Sequence, residues 1–217
     1  EAQDAAEEDR KTPGRRVAGQ DPLKRQQIIE AAKLCFLRDG FEATSMNDIT
    51  AEAGVSKGTI YVYFADKEAL LASVAEEAYR DLAQKIASAL RRTPVAEPVA
   101  RVRAIAAAYV AFAMARPAHY RVMWGPRVNE DGRFPSLEVA ISDALSLVTA
   151  EFERGQAAGA FRMDPPRDLA IAFWVAAHGY AELVLRRRLK VRSEAMAVGY
   201  FDKLLTPFLG GLRARAK

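Results

Sequence analysis

Cysteine is almost absent. One thiol, Cys35, stands in 217 residues, so no internal disulfide can form and nothing points to an oxidising compartment. Histidine is nearly as scarce: His119 and His178 lie far from each other and from Cys35, which leaves no group with metal-site spacing. A phosphate loop, an Asp-rich metal motif and a Cys–His pair are also missing. Their absence argues against an enzyme, and no cofactor or metal is expected. The net charge of +4 is too small to define a partner by itself. Long apolar runs are limited to residues 104–115 and 169–185. The first falls short of the roughly 20 residues that a bilayer span needs, and the second carries His178 and Glu182, so both are expected as buried helices. Residues 1–20 are polar and lack the apolar stretch of a secretory leader. A cytoplasmic protein without membrane contact is expected.

Half of the residues are apolar and 28% are charged. Alanine is abundant and β-branched runs are few, which predicts an all-α fold of about nine helices. Residues 1–20 have no apolar period and are expected to be disordered. Their basic cluster, Arg10, Lys11, Arg15 and Arg16, is either a solvated tail or an arm reaching a DNA groove. Asp21 then offers an N-cap and Pro22 a first helical residue. Ile28, Ala31, Ala32, Cys35 and Phe36 follow at helical spacing. Ser45 and Asp48 form a capping-box pair before Met46, Ile49 and Ala53. Gly54 stops that helix, Ser56 caps a short third one, and Asp66 caps a fourth running to about Arg91. Beyond Pro94 and Pro98 come helices expected at about 98–115, at Pro117, and at about 136–157, 167–190 and 194–213. Three regions result: an arm (1–20), a DNA-binding unit (21–66) and a C-terminal ligand-binding and dimerisation unit (67–217), with the fourth helix shared between the last two.

Function concentrates in TSMNDITAEAGVSKGTIYVYFADK, residues 44–67. Gly54 supplies the left-handed backbone of a tight corner, Ala53 keeps two helices close, and Ile49, Val55 and Ile60 fill the space between them. The third helix is thereby pushed outward, able to enter a major groove about 12 Å wide. Its first turn, Ser56, Lys57, Gly58 and Thr59, combines small residues, hydroxyls and a cation suited to phosphates and base edges. Tyr61 and Tyr63 point in different directions, and Lys67 lies near the expected phosphate line.

The run IIEAAKLCFLRDGFEATSMNDITAEAGVSKGTIYVYFADKEALL resembles the N-terminal domain of tetracycline-repressor (TetR) family regulators, over about residues 23–72. The resemblance implies that the third helix reads the major groove and that Thr44, Ser45, Tyr63 and Lys67 mainly hold phosphates. Three positions depart from the pattern. Cys35 replaces a commoner leucine, Thr50 an alanine, and Val62 a frequent histidine, which removes one polar contact. Further on, FWVAAHGYAEL resembles the Trp-His-Gly type of C-terminal domain found in part of the family.

Such a regulator needs a sensor. Tyr109, Phe112, Tyr120, Met123, Trp124, Phe152, Trp174 and His178 are candidate pocket residues, against the alternative that each simply packs in the core; Trp174 and His178 share a helix face. An apolar, aromatic wall with few charges suits a small hydrophobic or amphipathic effector. For homodimerisation, one stripe holds Leu169, Phe173, Ala177, Tyr180 and Val184, and another Met196, Tyr200, Leu204 and Phe208. Either these stripes cover the protomer's own core or they form a four-helix bundle with a second copy. The bundle is expected, because one helix-turn-helix makes few base contacts. The expected whole is a repressor that binds a palindromic double-stranded operator and is released by its effector.

Overall fold

The computed structural model describes residues 21–126 and 129–213; the basic cluster at residues 10–16 lies outside them. The described residues form helices α1 (Pro22–Asp39), α2 (Met46–Ala53), α3 (Lys57–Tyr63), α4 (Lys67–Arg91), α5 (Pro98–Ala115), α6 (Pro117–Met123), α7 (Pro135–Ala157), α8 (Pro166–Leu185) and α9 (Glu194–Gly211). No strand is present among them; a single isolated bridge joins Phe161 to Arg213.

The helix starts follow local chemistry. Asp21 accepts hydrogen bonds from the Leu23 and Lys24 amides, Asp66 from Ala69 and Ser193 from Met196, satisfying donors that the first turn leaves open. α5, α6, α7 and α8 instead begin with proline, which has no N–H to satisfy. α8 ends at Leu185, short of the expected 190. The Arg186–Arg188 run is a turn and not a helix face, with Arg187 at φ 55°.

Two apolar cores result. The smaller holds Ile28, Ile29, Cys35, Phe36, Ile49, Ile60, Phe64, Leu70 and Val74, from α1–α3 and the start of α4. The larger is built by α4–α9. α4 contributes to both and, at about 1.5 Å per residue, extends for roughly 38 Å. Val122 on α6 packs against both cores, and α6 also touches α1. α5 and α8 are long and apolar enough to cross a membrane by length and composition. α5, however, is packed among α4, α7, α8 and α9.

One charged pair lies inside the larger core. Arg101 on α5 and Glu151 on α7 are 6% and 2% exposed. Two bonds of 2.6 and 2.7 Å join guanidinium to carboxylate. Arg101 also donates to the carbonyls of Leu90 (3.0 Å) and Thr93 (2.8 Å), closing the C-terminal end of α4. Burial alone pushes the Glu151 carboxyl up; hydrogen bonds and charge from Arg101, with help from Arg154, outweigh it and hold it below the usual range.

Candidate nucleic-acid interface and ligand site

The corner between α2 and α3 has the conformation its sequence requires. Gly54 sits at φ 61°, ψ 34°, the left-handed region, and its amide closes on the Ala51 and Thr50 carbonyls. Ser45 and Asp48 make the reciprocal capping box. Ile49 and Ile60 are fully buried between the helices, and Val55 and Tyr63 pack against the same core. α3 is therefore fixed by its inner side while its outer side stays open.

On that outer side Ser56, Lys57 and Gly58 are exposed and Thr59 is half-buried. The Ser56 hydroxyl lies 2.8 Å from the Thr59 hydroxyl and accepts from the Thr59 amide at 3.1 Å. A Cβ built on Gly58 would meet nothing closer than the Ser56 hydroxyl at 3.9 Å. The backbone there is thus open to close approach by a ligand. Tyr61 is 46% exposed and Val62 50%.

Two residues given phosphate duty by resemblance also have internal work. Thr44 is buried, and its hydroxyl donates to the Gly40 carbonyl at 2.7 Å. It is a strut of the α1–α2 turn. Lys67 Nζ donates to the carbonyls of Phe41 (2.7 Å) and Glu42 (3.3 Å) and sits 4.3 Å from the centre of the Phe41 ring. It ties the start of α4 to the same turn. Ser45 is exposed at the N-cap of α2, its hydroxyl on Asp48.

The aromatic candidates are brought together, though around very little space. Trp124, Trp174, Tyr79 and His178 form one contiguous set: Trp124–His178 ring centres are 4.1 Å apart, Trp124–Trp174 5.4 Å and Tyr79–Trp174 6.4 Å. A chain of polar contacts runs through them. Trp174 Nε1 donates to Tyr109 Oη (3.3 Å), Tyr109 Oη to Tyr120 Oη (3.5 Å), and Tyr120 Oη lies 2.6 Å from His178 Nδ1. Burial pushes the Tyr109 phenol up to about 12 and the Tyr120 phenol further, and lowers His178. Beneath the rings a cavity between Leu82, Ile86, Tyr109, Val148, Phe173 and Trp174 has room of about 10 Å³, the least a single water needs. Outside them lies an open cleft of about 420 Å³, bounded by Tyr79, Met123, Trp124, Asn129, Leu137 and Ile141. Of the candidates, Phe112, Tyr120, Phe152 and His178 border neither space; Phe112, Tyr120 and Phe152 belong to the core, and His178 joins the set only through Trp124 and Tyr120. Tyr79, whose hydroxyl donates to the Met123 carbonyl at 3.2 Å, was missed. Its helical register on α4 pointed only to burial.

The proposed dimer stripe on α8 faces the other way. Phe173, Ala177, Tyr180 and Val184 are buried in the protomer's own core. Tyr180 stacks on Phe201 at 4.8 Å and donates to the Ala197 carbonyl. Beyond the charged first turn with Arg167 and Asp168, what α8 exposes is Ile171, Ala172, Val175, Ala176, Gly179 and Leu183. On α9, Tyr200 and Leu204 are exposed as expected, whereas Phe208 is half-buried against the core.

A short polar helix held outward by a left-handed glycine corner, joined through a long shared helix to an all-α second part, defines a helix-turn-helix regulator of two-part design. Residues 28–74 match the model of bacterial regulatory proteins of the tetR family, and residues 102–207 match a tetracyclin repressor-like C-terminal domain. The chain belongs to the TetR family. It is 39% identical over 88 residues to the HTH-type transcriptional regulator BetI of Yersinia pestis, a match covering 41% of this chain and 44% of that protein. Among solved structures it is similar to a Rhodococcus sp. RHA1 protein of unknown function (TM-score 0.74, 26% identity, 88% of this chain and 96% of that one). It is also similar to the fatty acid degradation regulator FadR of Bacillus halodurans (TM-score 0.71, 25% identity, 90% and 99%). BetI and FadR are regulators, not enzymes.

Proposed function

We propose that this protein is a dimeric repressor that inserts α3 into the major groove of a palindromic operator and lets go when a small hydrophobic effector binds. The observation that carries the reading is the first turn of α3: Ser56, Lys57 and Gly58 are exposed on a helix whose other side is locked by Ile60 and Gly54. Beside the Ser56 cap, the Lys57 and Gly58 amides at the helix start have no helical acceptor and suit phosphate oxygens, and Lys57 adds a cation that makes no ion pair among the described residues. Base contacts by Lys57 and Thr59, with phosphate contacts by Ser45, Ser56, Tyr61, Tyr63 and Lys67, complete the interface.

Pairing of two copies is supported by the apolar outer face of α8 and α9, where Val175 is 67% exposed and Leu183, Met196, Tyr200 and Leu204 each about half. A four-helix bundle would cover it. Val175→Arg, placed where the single chain has no contact to lose, is expected to leave the helical spectrum unchanged and turn the dimer into a monomer by analytical ultracentrifugation. A variant that sediments like the wild type would remove this face from the interface.

The effector is read as apolar because the candidate site is a cluster of rings and aliphatic side chains with no lysine or arginine on the inner cavity. The similar regulator of fatty acid degradation is in keeping with an apolar ligand. The inner cavity has room for no more than a water, so an effector must expand the space beside Trp174. It shifts the balance only by preferring the opened state. α4 and Val122, common to both cores, are the elements through which opening reaches α1 and α3. A cytoplasmic location follows from a DNA partner. Capture of genomic fragments on the full chain tests the reading: a recurrent palindrome is expected, and enrichment of no sequence would refute it.

A further inference from the structure

The turn in front of α7 is fastened to the start of α4 by one side chain. Arg133 Nη2 lies 2.7 Å from Asp66 Oδ2 and Nη1 lies 2.8 Å from Glu68 Oε2. The guanidinium sits 5.0 Å from the centre of the Phe134 ring. The turn behind it is braced. Asn129 accepts from the Phe134 amide at 2.7 Å and donates to the Phe134 carbonyl and to Glu138. Ser136 donates to Glu76 on α4 at 2.7 Å. One segment therefore has two faces. Asn129, Leu137 and Ile141 wall the outer cleft beside Trp124, while Arg133 grips the residues on either side of Lys67.

Charge explains why that grip matters. Asp66 and Glu68 are carboxylates, both roughly half exposed at their side chains, flanking the lysine nearest the expected phosphate line. Unneutralised, they oppose a polyanion. The charge that offsets part of theirs, Arg133, comes from the C-terminal part of the chain, so it depends on how that part sits against the helix-turn-helix. Lys67, between them, reaches back to the Phe41 and Glu42 carbonyls and so to the α1–α2 turn.

We infer that Arg133 is a positioning residue for DNA binding and links the outer cleft to Lys67. With the clasp closed, the start of α4 meets the duplex with part of its negative charge offset. A ligand seated in the outer cleft that displaces the 129–134 turn opens the clasp and weakens the grip. The inference rests on the DNA-binding reading above and adds both a residue and a route that the helix-turn-helix alone does not contain.

The test uses the full chain, an operator duplex selected as above, and fluorescence anisotropy. Arg133→Gln, at an exposed position, is expected to fold with an unchanged helical spectrum. At low salt it should bind the duplex roughly threefold to fivefold more weakly, the range of an exposed ion pair. The gap should shrink as ionic strength rises, and Glu68→Gln in the same chain should restore part of the loss. In a Trp174→Phe background, duplex should change the emission of Trp124 when Arg133 is present and leave it unchanged in the Arg133→Gln variant. Wild-type affinity for Arg133→Gln would overturn the inference. So would a loss indifferent to salt and to Glu68→Gln, or an equal Trp124 response in both proteins. If the wild type itself binds no duplex, the DNA-binding reading falls; if it binds and Arg133→Gln binds equally well, only the clasp falls.

Discussion

Lys57→Ala is expected to weaken operator binding by about 1–3 kcal/mol per half-site, the discrimination carried by one good side chain–base contact. Thermal stability should stay within about 0.5 kcal/mol of wild type, as for an exposed substitution away from special features. Lys57 is exposed at the first turn of α3 and packs against nothing that the fold needs. Because a dimer presents two copies, the loss is felt twice on a palindrome and once on a half-site. Fluorescence anisotropy on both duplexes, with a thermal melt as control, separates a contact from a folding effect. An unaltered affinity on both duplexes would take Lys57 out of the interface. Lys67 makes a poorer first test, since its ammonium already holds the Phe41 and Glu42 carbonyls and its removal disturbs the frame as well.

Arg101→Ala should cost about 3–5 kcal/mol of stability, because Glu151 would then stand buried without its partner. For a chain of this size that is a fall in Tm of about 6–20 °C. Arg154, whose Nε is 3.4 Å from the Glu151 carboxylate, is itself about half exposed and offsets only part of the loss. Two controls sharpen the expectation. Arg101→Met with Glu151→Leu should recover much of the loss, though not all, since the Leu90 and Thr93 carbonyls also lose their donor. The pH dependence should change sign. In the wild type the Glu151 carboxyl is held low, so its contribution is present above the ordinary carboxylate range and is lost as pH falls through the depressed value. Without Arg101, burial dominates and raises that value, so acid that protonates the carboxyl relieves the strain and stability rises as pH falls. Melting curves between pH 4 and pH 8 distinguish the two slopes, and parallel slopes would show that Arg101 does not hold this carboxylate.

Where a helix begins, where a corner turns and which residues fill the small core were legible because each depends on neighbours in sequence. Asp21, Ser45 with Asp48, Ser56 and Asp66 cap as their types demand, and Gly54 takes the conformation only it holds without strain. The direction of the α8 faces was not legible. That helix is apolar nearly all round, so the stripe through Phe173, Ala177 and Tyr180 and the stripe through Ile171, Val175 and Leu183 have equal claims by periodicity. The structure settles the matter by size: the large rings fill the protomer, and the slimmer stripe stays outside. The end of α8 was misplaced because Arg187 turns at positive φ without a glycine to announce it. The aromatic cluster was found residue by residue, while its closure was not, since side-chain volumes say nothing of whether rings meet one another or a void. Arg101–Glu151 and Arg133–Asp66 escaped for a simpler reason: their partners are remote in sequence, and a lone charge carries no address.

Entry of α3 into the duplex is tested most directly by hydrogen exchange across the whole chain with and without an operator duplex at low ionic strength. The amides at the start of α3 have no helical acceptor and exchange readily in the free protein. Strong slowing at Ser56, Lys57 and Gly58 on adding duplex, with α8 and α9 unchanged, is the result expected. Exchange there that stays fast while the protein binds DNA elsewhere, or binds none, would contradict it.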